Sequence, residues 1–99
     1  MYEIEYLQKS LDDLDEIHFY IANDSLLAAD KTINSILDAV DRLEIFPLMG
    51  TVITGKISLS SDYRMMVIKP YLVVYKVVDM KVIVYRILHE RRYRDAILS

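Results

Sequence analysis

The spacing of apolar and polar positions divides the chain into segments of different period. Tyr2, Ile4 and Tyr6 alternate with Glu3 and Glu5, which predicts a short strand with one buried face. From Leu7 the period lengthens. Leu7, Leu11, Leu14, Ile17 and Ile21 recur at three- and four-residue steps, with Asp12, Asp13, Asp15 and Glu16 assigned to the opposite side, so an amphipathic helix is predicted to end near Asn23. Asp24 or Ser25 offers a side-chain oxygen to cap a second helix. Its stripe is Ala29, Ile33, Ile36, Leu37, Val40 and Leu43, and it is predicted to stop at Phe46, because Pro47 disfavours helical geometry in the residue before it.

Residues 51–62 are small and weakly patterned and read as a loop with some extended structure, the segment expected to move most. Dense apolar runs then predict strands over 63–69, 71–78 and 81–89. The connections at Lys69-Pro70 and Asp79-Met80 are too short for a crossover, so these strands are antiparallel neighbours. The order is β-α-α-β-β-β, a single α+β domain over 1–99 with two N-terminal helices packed on an antiparallel sheet.

That sheet is apolar on both faces. Tyr63, Met65 and Val67 alternate with Arg64, Met66 and Ile68, and Tyr71, Val73, Tyr75 and Val77 alternate with Leu72, Val74 and Lys76. Helices cover one face, so Met66, Ile68, Leu72 and Val74, or their counterparts, need another cover. The segment Tyr93 to Leu98 is short cover for three strands, which points to a docked partner chain.

Composition narrows the chemistry. With 99 residues and no cysteine, the chain supports one core and excludes disulfides and thiolate chemistry. His18 and His89 lack a cluster of ligand-type residues, and two glycines cannot build a phosphate loop, so neither metal nor cofactor is expected. No segment has the length of a membrane span and no export signal is visible, which predicts a cytoplasmic protein. Charge is unevenly divided. Residues 1–62 carry four basic against twelve acidic groups, a net of −8, and residues 63–99 carry eight against three, a net of +5. This asymmetry fits either an anionic or acidic partner for the basic half, or attraction between the two halves of one domain.

Several short motifs, weak singly but specific in their order and spacing, run the length of the chain. They are Leu43-x-x-Phe46-Pro47-x-Met49-Gly50, Tyr63-Arg64, Tyr71-x-x-x-Tyr75-x-Val77-x-Asp79 and Arg86-x-x-His89-x-Arg91-Arg92. Together they resemble the RelE/ParE superfamily of bacterial toxins. The resemblance implies the toxin of a type II toxin-antitoxin module, such as those of plasmid stabilisation and growth inhibition. It also implies a cognate antitoxin that wraps the toxin with an amphipathic segment, as a homodimer or a heterotetramer with that antitoxin. Met66, Ile68, Leu72, Val74 and Lys76 are the expected antitoxin-binding positions.

Members of the superfamily divide by target. RelE-type toxins cut mRNA in the ribosome, using basic side chains to activate a ribose hydroxyl and stabilise the phosphorane. Arg64 and Arg92 match two such basic positions. Met66, Leu72 and Leu98 stand where others would be basic or tyrosine, and His89 with Tyr93, one helical turn apart, are the candidate substitutes. ParE-type toxins instead poison DNA gyrase by binding. Arg91 and Arg92 fit the basic tail of those toxins, while Glu90 and Tyr93 depart from it. The catalytic candidates are therefore Arg64, His89, Arg92 and Tyr93, and the target-binding candidates Arg64, Arg91, Arg92 and Arg94. The resemblance implies gyrase binding first and ribosome-dependent mRNA cleavage second, with a degenerate toxin that only binds antitoxin as a third reading. Arg86 lies inside an apolar strand and requires a carboxylate or carbonyl partner.

Overall fold

A computed structural model describes residues 1–53 and 62–92. Strand β1 (Glu3–Tyr6) leads into α1 (Gln8–Ala22) and α2 (Leu26–Asp41), followed by a 3-10 turn at Arg42–Glu44. Strands β2 (Thr51–Val52), β3 (Tyr63–Ile68), β4 (Tyr71–Val78) and β5 (Lys81–His89) complete the order. Ser25 is the cap of α2, its hydroxyl accepting from the Ala28 N–H at 3.1 Å. The α-helix ends at Asp41 rather than Phe46: the chain tightens, and the Ile45 and Phe46 N–H groups both donate to the Arg42 carbonyl.

The sheet order is β1-β5-β4-β3-β2. The predicted antiparallel meander forms its centre. β1 adds a parallel partner to β5, with Ile4 beside Val82 and Tyr6 beside Val84, so the sheet as a whole is mixed. In the two-residue β4–β5 turn Asp79 takes a φ of 56°, a left-handed conformation that aspartate tolerates better than most residues.

The helical hairpin covers one face. Leu14, Ile36, Ala39, Val40 and Leu43 pack on Met66, Val73, Tyr75, Val82, Val84 and Ile87 in one buried cluster. The α1 stripe differs from expectation, since Ser10 and Asp13 lie buried with Leu14 while Leu11 is 40 % exposed. The Ser10 hydroxyl donates to the Leu7 carbonyl at 2.7 Å, and Asp13 meets an irregularity in β5 described below.

Register decides which residues share a face. Met66 pairs with Val73 and Ile68 with Tyr71, whereas Leu72 pairs with Val67 and Val74 with Met65. Cross-strand partners point the same way, so Met66 and Ile68 belong to the helix-covered face and Leu72, Val74 and Lys76 to the other. The five residues expected to bind antitoxin do not form one strip. Met66 and Leu72 are themselves buried, at 8 % and 5 % exposure.

Candidate functional site

The basic residues singled out by sequence fall into separate places. Arg64 lies beside Tyr75 on the helix-covered face. Its guanidinium donates to the carbonyls of Leu48 at 3.2 Å and Gly50 at 2.8 Å. Tyr75, fully buried, donates its hydroxyl to the Pro47 carbonyl at 2.8 Å and accepts the Gly50 N–H at 2.9 Å. Burial pushes the Tyr75 phenol above its ordinary pKa, opposed by the Gly50 N–H and the nearby Arg64 charge. Residues 47–50 are thus pinned by a phenol and a guanidinium. Gly50 has no freedom to be anything else, because a Cβ there would lie 2.6 Å from the Tyr75 hydroxyl and 2.9 Å from the Met65 carbonyl.

His89 and Arg92 stand elsewhere. Arg64 is four residues before Ile68, which adjoins Tyr71, which adjoins His89. Four strand steps and two strand spacings separate Arg64 from His89 by roughly 16 Å. His89 closes β5, and residues 90–92 are helical. Its Nδ1 accepts the Arg91 backbone N–H at 3.1 Å, and among the described residues Nε2 has no hydrogen-bond partner. The ring meets Tyr71 edge to face at 5.6 Å between centroids. Tyr93 and Arg94 lie outside the described residues.

The orientation of this end of β5 is set by α1. The β4–β5 register shifts between Val74, which faces Arg86, and Tyr75, which faces Val84, so Tyr85 is an additional residue. Such a bulge breaks the ladder. Asp13, only 4 % exposed, repairs it by accepting the Ile87 N–H at 2.9 Å and the Arg86 guanidinium at 2.8 and 3.0 Å. The bond to Asp13 raises the Arg86 pKa further, against the opposing effect of burial. The carboxylate partner that Arg86 required is therefore Asp13. One turn along α1, Glu16 comes within 3.9 Å of Arg92.

Between α1 and the ends of β4 and β5 lies an open cleft of about 690 Å³. Ile17 and Ile87 contribute apolar walls, Tyr71, His89, Arg91 and Arg92 line the sheet side, and Phe19 and Tyr20 the helix side. Tyr71 is held above its ordinary pKa by burial and the nearby Tyr20. The periodicity reading overlooked Phe19 and Tyr20. They were legible as aromatic residues off the apolar stripe of α1, where packing does not call for them. His18, by contrast, tethers the helices through a 2.8 Å contact of its Nε2 with Asp30.

On the opposite face of the sheet Tyr63 and Tyr85 meet edge to face at 4.9 Å. Lys76 lies over the Tyr63 ring at 5.4 Å and within 4.0 Å of Asp62. Among the described residues no helix is long and apolar enough to cross a membrane.

A family model described as the ParE toxin of the type II toxin-antitoxin system parDE matches residues 4–93. Comparison with curated proteins gives no match. Similar folds occur in a structure of the chromosomal ParDE toxin-antitoxin system from P. aeruginosa, at TM-score 0.72 and 22 % identity, with 90 % of this chain and 96 % of that one covered. The RelB-RelE antitoxin-toxin complex from Methanococcus jannaschii aligns at TM-score 0.58 and 18 % identity over 93 % of this chain and 96 % of that one. A conserved hypothetical protein from Helicobacter pylori aligns at 0.55 and 21 % over 92 % and 97 %.

Proposed function

The chain belongs to the ParE toxin family of type II toxin-antitoxin systems, and from that membership we propose that it arrests growth by binding DNA gyrase rather than by cutting RNA. The observation that carries this reading is the dispersal of the candidate catalytic groups. Arg64 is engaged with the Leu48 and Gly50 carbonyls, and roughly 16 Å of sheet separates it from His89. Cleavage of a phosphodiester needs a base, a charge-stabilising cation and a leaving-group acid within contact of one phosphate. Turned onto those two carbonyls, the Arg64 guanidinium is engaged apart from His89 and Arg92. Binding needs no such convergence, and Arg91 and Arg92, both exposed at the end of β5, supply the basic contact to the target.

The competing reading is ribosome-dependent mRNA cleavage. It draws on His89 and Arg92 lining one cleft, a pair that supplies an acid or base and a cation without Arg64. In either case the toxin works on a cytoplasmic target and is silenced by a cognate antitoxin. Pulse labelling after induction separates the two. Gyrase poisoning predicts that thymidine incorporation falls before methionine incorporation; an earlier fall in methionine incorporation overturns it.

A further inference from the structure

We infer that the turn at residues 46–49 is a second anchor on the target, an apolar knob that seats in an apolar groove of the target protein, an inference that rests on the gyrase-binding reading above. The first argument is exposure. Ile45, Phe46, Leu48 and Met49 are 65 %, 64 %, 61 % and 50 % exposed, so four large apolar side chains stand in water within one short run. Single exposed apolar residues are ordinary, but a contiguous group of them marks a contact surface.

The second argument is rigidity. The Met49 N–H donates to the Phe46 carbonyl at 3.2 Å, closing a β-turn with Pro47 in its second place, where a fixed φ suits the geometry. Tyr75 and Arg64 then hold the carbonyls of Pro47, Leu48 and Gly50 at 2.8, 3.2 and 2.8 Å. Held in this way, the apolar side chains are displayed before any partner arrives, and binding them costs little further ordering. The sequence motifs Phe46-Pro47-x-Met49-Gly50 and Tyr63-Arg64 therefore meet in one place, apart from the basic end of β5.

The third argument concerns the occupant. Asp41, Arg42 and Glu44 lead into the turn with a net negative charge, so the phosphates of nucleic acid are disfavoured there. A second copy of this chain fits poorly as well. A tight turn is convex, and a two-fold axis would set one convex surface against the same surface. A groove on another protein has the complementary shape. Since Arg64, which pins the turn, lies roughly 16 Å of sheet from His89, the turn and the arginines give the toxin two separated contacts. Arg91 and Arg92 supply orienting charge, and the turn supplies the apolar burial that dominates binding energy.

The test uses the whole toxin with purified gyrase and supercoiled plasmid, and reads the toxin concentration that gives half-maximal linear, protein-linked DNA. Phe46→Ser and Leu48→Ser change exposed side chains and leave the Tyr75 and Arg64 bonds in place, so their melting temperatures should stay at the wild-type value. Each is expected to raise that concentration at least about tenfold, while Leu27→Ser, a change at a 71 % exposed position on α2, leaves it unchanged. Values for both variants within about twofold of wild type overturn the anchor. A concentration-dependent homodimer that the same changes abolish overturns it too, since the occupant is then a second copy. A wild-type toxin that leaves gyrase unaffected sinks the gyrase reading itself, and the anchor with it.

Discussion

Asp13 offers the sharpest test of how the fold positions its basic end. Replacing it with alanine removes the acceptor of three hydrogen bonds, two from Arg86 and one from the Ile87 N–H. The Ile87 amide sits in a fully packed place, its residue 1 % exposed, and an unsatisfied buried N–H costs about 1–3 kcal/mol. The Arg86 side chain is 31 % exposed, so water largely rehydrates the freed guanidinium, and its share falls to about 1 kcal/mol, below the roughly 3–5 kcal/mol seen when fully buried pairs are broken. Together the loss should be about 3 kcal/mol, or roughly 12–24 °C in melting temperature for a domain of this size. Asp13→Asn keeps one acceptor for the Ile87 N–H and should lose about half as much. In a double-mutant cycle of Asp13→Ala and Arg86→Ala, the coupling between the two should be on the order of 1–2 kcal/mol. Urea denaturation of the four proteins gives these values directly. An Asp13→Ala loss below about 1 kcal/mol, or a coupling of zero, would refute the idea that this carboxylate holds the bulge together.

Other consequences follow from the pinned loop and from Tyr6. Tyr75→Phe removes the hydroxyl that joins Pro47 and Gly50 and should cost about 2 kcal/mol, whereas Gly50→Ala drives a Cβ to within 2.9 Å of the Met65 carbonyl and should cost more; thermal melts that rank them the other way contradict the packing described. Tyr6 has its pKa raised from 10.0 to about 12, first by burial and then by the Asp41 carboxylate. Its contribution to stability is therefore full below pH 10 and is lost as pH rises toward 12, because the unfolded chain releases a proton that the folded one retains. Discounted for its partial exposure, the loss is about 1 kcal/mol, and Tyr6→Phe should flatten the fall in the urea midpoint between pH 9 and 11.5.

Local pattern carried far into this fold. The strands over 63–68, 71–78 and 81–89 and both helices were legible because each has a strong period of its own. The parallel pairing of β1 with β5 was not, since it joins residues about 78 positions apart and leaves no local trace. Nor was the division of the sheet into faces. That depends on whether Met66 meets Val73 or Leu72, a one-residue choice that alternation within each strand leaves open. The burial of Asp13 was hidden for a related reason: an aspartate on a helix reads as solvated until a bulge in a distant strand presents it with an amide and a guanidinium. In the candidate site, His89, Arg91 and Arg92 were found from motif spacing and share a cleft. Arg64 was found too, but its engagement with two loop carbonyls could be read only from the folded chain.

The most direct measurement is a gyrase cleavage assay on supercoiled plasmid with the purified toxin. Binding of gyrase through the basic end of β5 predicts that linear, protein-linked DNA accumulates with the wild-type toxin, and that this is lost in Arg91→Ala/Arg92→Ala while the melting temperature holds. Unchanged gyrase activity, together with mRNA cuts in the ribosomal A site that disappear in Arg92→Ala, would contradict it.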